Sequence, residues 1–326
     1  MIQLLVSMVL ALSSAGQQPA PPAPAAPPST DVFVASLSMT GGIPAVGKPE
    51  NISQAPGYDN QPFFASDGNS LLFTSDRAPR TPAPPSVGQP RTPGGTQSAS
   101  QMDIFRYDFR SRTISRVTDT SEGEYSPTVT PDTRHLSVIR VEADGTQRLW
   151  KFPMNGGNPT LVLERVKPVG YHAWLDANTL ALFVLGEPAT LQVADVRTGA
   201  SQIVTSRIGR SLQRIPGGGI SFVQQEGQGS ERKLIVSQLT LADGKPVTRP
   251  LMSAVAGARE ADLAWTPDGT LLMAHGGSLY AWKSGQTEWR VVADLGALGL
   301  KNVSRLAVSP KGDRIALVAA ALTATR

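Results

Sequence analysis

The chain of 326 residues is 40% apolar and 17% charged, with 31 Gly and 27 Pro, a composition that excludes a coiled coil and a wholly disordered chain. It contains no Cys, which removes disulfide scaffolds, thiolate metal sites, cysteine nucleophiles and a lipidated N-terminal cysteine together. The balance of 30 basic against 26 acidic residues, formally +4, is too even to imply nucleic acid as a partner.

Residues 1–16, MIQLLVSMVLALSSAG, place an apolar run ahead of small residues suited to cleavage. This is the pattern of a secretory signal peptide, although no Lys or Arg precedes the run. The run is far short of the ~20 residues that cross a bilayer. A periplasmic or secreted protein with no membrane span in the mature chain is expected; a merely apolar N-terminus is the other reading. Residues 17–30, QQPAPPAPAAPPST, predict an extended polyproline tether. Residues 31–326 are expected to form one domain, broken by a Pro-rich surface insertion at 78–101.

Within that domain one unit recurs. Its clearest copy is AWTPDGTLLMA (264–274), followed by SLYAW (278–282) and EWRVVADL (288–295). Related segments are FFASDGNSLLFTS (63–75), TVTPDTRHLSVI (128–139), AWLDANTLALF (173–183), QRIPGGGISFV (213–223) and AVSPKGDRIALV (307–318). The turn positions Asp67, Asp132, Ala177, Gly217, Asp268 and Lys311 recur every 40 to 51 residues once the 24-residue insertion is discounted. That period is one four-stranded propeller blade. The Asp-Gly turns suggest two-residue hairpins, in which Gly tolerates positive φ.

Third strands follow in step at 103–108, 148–152, 191–196, 233–239 and 278–282, and fourth strands at 113–118, 160–164 and 201–205. The last unit holds only two strands before the chain stops. The missing two have their patterns at the other end, in DVFVASL (31–37) and GKPENIS (47–53). The expected fold is therefore all-β: a six-bladed propeller of four-stranded antiparallel blades whose last blade is closed by N-terminal strands. Closure leaves no unpaired blade edge.

The TPDG, SPKG and ASDG turns, each followed by an apolar strand and then by DIFRYD or SLYAW, resemble the WD-like repeats of the TolB-like propeller family. The resemblance covers nearly all of 31–326. No segment matches the separate N-terminal α/β domain that precedes the propeller in TolB, so the chain is similar to the propeller part alone. The resemblance implies a binding role in the cell envelope, with a protein or peptide as partner.

The repeat also resembles propellers attached to prolyl-oligopeptidase-type hydrolases, but no G-x-S-x-G elbow is present. His135, His172 and His275 fall in three different blades, so a Ser-His-Asp site is not expected. Phosphate-binding glycine loops are likewise absent from the sequence. Trp174 and Trp265 occupy equivalent repeat positions with Phe64, which predicts packing between blades. Trp282 and Trp289 flank an outer turn and are expected to be more exposed.

Counting eight residues back from each turn gives Asp59, Glu124, Val169, Gly209, Glu260 and Val303, at the start of the inner strands. With Tyr171, His172, Arg210, Asp262 and Arg305, the charged members are the candidate partner-binding residues at the channel mouth. Mutual ion pairing that merely finishes the strand ends is the competing reading. Asp59, Glu124, Glu260 and Asp262 also leave room for calcium, which needs several oxygens around one point. The preferred function is a monomeric, non-catalytic binding propeller with no cofactor. Its alternative is a calcium-dependent hydrolase or lyase acting in the central channel.

Overall fold

The computed structural model describes residues 28–77 and 101–320. The expected signal peptide, nearly all of the tether and the Pro-rich insertion lie outside the described residues. Strands dominate, and no helix among the described residues is long and apolar enough to cross a membrane. They form six antiparallel sheets arranged as the blades of a propeller.

The inner strands are Asp59–Phe64, Gly123–Val129, Val169–Trp174, Gln213–Arg214, Leu263–Trp265 and Arg305–Val308. Blade one continues through Ser70–Ser75, Asp103–Asp108 and Thr113–Arg116, and each later blade repeats that meander. In the sixth blade Thr30–Thr40 pairs antiparallel with Arg314–Ala320, in a register running from Thr30 opposite Ala320 to Ser36 opposite Arg314. The predicted closure is thus observed. Its outermost strand differs from the expectation: it is split into Ile43–Val46, paired with residues 37–40, and Glu50–Asn51, paired with Phe33 and Val34.

The second strands are buried on both faces because each lies between two neighbouring blades. In Ser70–Ser75, Leu71 and Phe73 join Val32, Ala316 and Val318 of the sixth blade, while Leu72 points the other way onto Leu136 and Val138 of the second. The same alternation sends Leu180 and Leu182 toward Ile139 and Leu149, and Ala181 and Phe183 toward Ile220 and Phe222. Period-two geometry makes one strand serve two interfaces. Each such buried Leu or Phe contributes roughly 1.5–3 kcal/mol.

The hairpin joining first and second strands is not the two-residue turn that the Asp-Gly pairs suggested. In the fifth blade Thr266 N–H bonds Thr270 O at 2.9 Å and Gly269 N–H bonds Thr266 O at 3.0 Å, leaving three residues in the loop. Pro267 and Asp268 take ordinary negative φ, and only Gly269 is left-handed, at φ 82°. This is a type I turn closed by a glycine bulge, which explains Pro before Asp and Gly after it.

Candidate functional site

Three of the six inner strands reach the axis with a bulge in register. Residues 61 and 62 oppose a single partner position in blade one, 126 and 127 do so in blade two, and Gly170 is the extra residue in blade three. Gln61 and Ser126 take positive φ at these bulges, 56° and 53°. Such a bulge re-aims side chains. Bulged and regular inner strands together present a ring of equivalent positions, each six residues before its turn: Gln61, Ser126, Tyr171, Ser211, Asp262 and Arg305. All of them line one axial cavity.

Arg305 reaches across this ring. Its Nη1 donates to Asp262 Oδ2 at 2.8 Å in the adjacent blade, and its Nη2 donates to the Tyr171 hydroxyl at 2.7 Å. Tyr171 belongs to the third blade and Arg305 to the sixth, which are opposite in the ring, so the side chain spans the channel axis. Burial opposes the Arg305 charge, but the Asp262 carboxylate and the nearby tyrosines outweigh it and hold the guanidinium firmly protonated. Tyr58 faces the same group, and burial pushes its hydroxyl up to about 12 despite Arg305.

The channel is thereby closed midway, with a cavity on each side. On the side of the first-to-second-strand turns lies a funnel of about 640 Å³. Its walls include Phe63, Thr128, Gln213 and Trp265, and its rim carries Pro131, Pro216, Pro267 and Pro310 from equivalent turn positions. On the opposite face a cavity of about 660 Å³ lies among blades three to six. Arg210, Asp262, Arg305 and Leu306 line both and form the partition.

The candidate residues read from sequence separate into two groups. Tyr171, Arg210, Asp262 and Arg305 come together at the partition; Arg210 Nε lies 3.9 Å from Asp262 Oδ2, and its Nη2 lies 3.2 Å from Glu260 Oε2. The Glu260 side chain is 74% exposed at the far mouth. Asp59 and Glu124 are 1% and 0% exposed and line neither cavity, which corrects their placement at the channel mouth. The bulge turns its own side chain toward the axis and leaves the residue two places earlier inside the blade. Asp59 is held there by Arg77 at 2.8 Å, and Glu124 by Arg140 at 3.3 Å. Burial raises the Asp59 carboxyl and pushes Glu124 up to about 7, the latter against the Thr120 hydrogen bond and with help from the Asp103 charge.

His172 is a wall residue of the funnel whose ring is buried, and burial pushes it down to about 3, leaving it neutral. Its Nε2 lies 2.7 Å from Ser137 Oγ, which also accepts the Trp174 indole N–H at 3.0 Å. Trp265 repeats the device by donating to Ser221 Oγ at 2.9 Å. The indoles therefore pin one blade to the next while their faces line the funnel. Trp282 is only 4% exposed and Trp289 half-buried, both with their N–H bonded to backbone carbonyls, which corrects the expected exposed pair.

Gln61, Ser126 and Ser211 were missed by the count of eight. Gln61 Oε1 accepts Ser126 N–H at 2.9 Å, and Ser211 Oγ accepts Leu263 N–H at 3.0 Å, so both tie neighbouring inner strands together. A count of six would have found all of them. The four carboxylates considered for calcium do not converge: each is engaged by its own arginine, and among the described residues no group of three or more His, Asp or Glu is placed to hold a metal ion.

Fold and site together define a six-bladed β-propeller with an axial channel sealed at mid-depth. No protein-family model matches the chain, and no curated protein matches it significantly. Among solved structures it is similar to a putative TolB from Agrobacterium tumefaciens at 15% identity, covering 90% of this chain and 100% of that one with a TM-score of 0.62. It is also similar to a gluconolactonase from Xanthomonas campestris at 9% identity, covering 91% and 98% with a TM-score of 0.54. A chain of a nidogen/laminin complex matches at 10% identity, covering 89% and 98% with a TM-score of 0.55. At these identities the likeness is one of fold, and the TolB resemblance holds at that level.

Proposed function

We propose that this protein is an exported, non-catalytic binding propeller of the cell envelope that takes a protruding peptide segment of a protein partner into the funnel. The observation that carries the reading is the seal formed by Arg305, Asp262 and Tyr171, which makes the funnel a dead end. A blind opening with apolar walls, a rigid proline rim and a hydrogen-bonding floor suits the tip of a loop or a chain end. The fold does not choose between binding and catalysis, because one similar structure is a gluconolactonase and another comes from a nidogen/laminin complex. The site favours binding: its histidine is buried and neutral, and its carboxylate is committed to a guanidinium. The monomeric state is part of the same proposal, since closure pairs the blade edges.

The test is capture of a partner from envelope extracts of the native host by the full chain and by Gln213→Trp, which fills the funnel from its wall. Loss of capture by the folded variant is expected. Undiminished capture would place the partner elsewhere. Added calcium is expected to leave the melting temperature unchanged, because the channel carboxylates are already paired; a clear rise would restore the metal-dependent hydrolase or lyase reading.

A further inference from the structure

The cavity on the far side of the partition has a different chemistry from the funnel. Phe183, Val223, Leu234 and Leu306 give it apolar walls, while Arg210, Arg232, Arg259 and Arg305 all border it. Two carboxylates, Glu260 and Asp262, are present, and each is engaged by a partition arginine, Glu260 by Arg210 and Asp262 by Arg305. Arg232 and Arg259 therefore carry uncompensated charge. The Arg232 guanidinium is fixed at this edge, for its Nη2 donates to the Arg259 backbone carbonyl oxygen at 2.9 Å. Neither makes an ion pair among the described residues, and both are exposed at the cavity edge.

Two unpaired cations bordering one concave apolar surface make it complementary to an anion that carries an apolar body. From this juxtaposition we infer that the far cavity binds an organic anion with an apolar body, its charged head between Arg232 and Arg259 and its body against Phe183, Val223 and Leu234. Gln225, Ser304 and His275 border the same space and supply further polar contacts. A volume of about 660 Å³ accepts a ligand of one or two rings or a short acyl chain. The site is separate from the funnel and does not depend on the peptide-binding proposal.

Fluorescence titration of the full chain with anilinonaphthalenesulfonate, an anion with an aromatic body, tests the assignment. Saturable binding of one probe per chain is expected, weakened by added salt and displaced by octanoate but not by octanol or inorganic phosphate. Affinity should fall about tenfold or more in the double variant Arg232→Gln, Arg259→Gln, as expected for loss of charge-assisted hydrogen bonds. The funnel variant Gln213→Trp should bind the probe like the native chain. Equal binding by the double variant, equal binding of the neutral N-phenylnaphthylamine, or displacement by phosphate as effective as by octanoate would each overturn it. The exposed position of both arginines keeps the variants folded, which circular dichroism checks.

Discussion

The two sides of the ring use the same repeat position in opposite ways. In blades one and two, Asp59 and Glu124 are sealed inside the protein, each under one arginine. In blade five the equivalent Glu260 lies in solvent, while Asp262, two residues on, is turned into the axis to meet Arg305. The charged side chains of the first region pair within their own blades; in the second, Asp262 and Arg305 divide the channel and face both cavities. Repeat equivalence thus fixes where a residue lies along a strand but not which way it faces, because the inner strands of blades one and two are bulged and that of blade five pairs in regular register.

The largest expected effect lies at the partition. Arg305→Met should destabilise the fold by about 3 kcal/mol, because it strands a nearly buried Asp262, with Arg210 at 3.9 Å limiting the loss. Urea unfolding measures it, and a loss below about 1 kcal/mol would show the partition to be no structural element.

On the sealed side the comparison sharpens through pH. Burial places Glu124 at about 7 in the folded protein against an ordinary value of 4.5. The native state therefore keeps a proton that the unfolded chain releases. The stability contributed by Glu124 is complete below about 4.5 and is lost as pH rises through 7. Relative to Glu124→Gln, the native chain should lose on the order of 2 kcal/mol across that window. Parallel stability profiles for the two proteins would mean that Glu124 is solvated, contrary to its burial.

A smaller effect is expected where the two regions share a device. Trp265→Phe removes the bond to Ser221 and should cost about 1 kcal/mol, as should Trp174→Phe at Ser137. The least is expected at Glu260, where Glu260→Gln removes an exposed ion pair and should change stability by less than about 0.5 kcal/mol. A large loss there would erase the contrast with Glu124.

Much of the fold was legible in the sequence because its signals are local. Turn residues recur at blade spacing, second strands are continuously apolar, and two orphan strand patterns at the N-terminus match two missing ones at the end. The split outer strand of the closing blade was not legible: Gly47 N–H bonds Ser36 O at 2.9 Å, an irregular crossing between Ile43–Val46 and Glu50–Asn51 that no periodicity announces. At the site, Tyr171, Arg210, Asp262 and Arg305 were found, whereas Gln61, Ser126 and Ser211 were passed over. The error came from counting strand positions as though every inner strand were regular.

The chain's own pattern settles how many blades form, where each hairpin turns and which strands close the ring, since spacing, alternation and turn chemistry act within a few residues. Neighbouring blades settle the rest. A carboxylate is sealed under an arginine where the inner strand bulges, in blades one and two, and another is aimed at the axis in blade five, where the strand pairs in regular register. Arg305 meets Tyr171 from 134 residues away only because a closed ring of blades brings opposite inner strands within one side chain's reach.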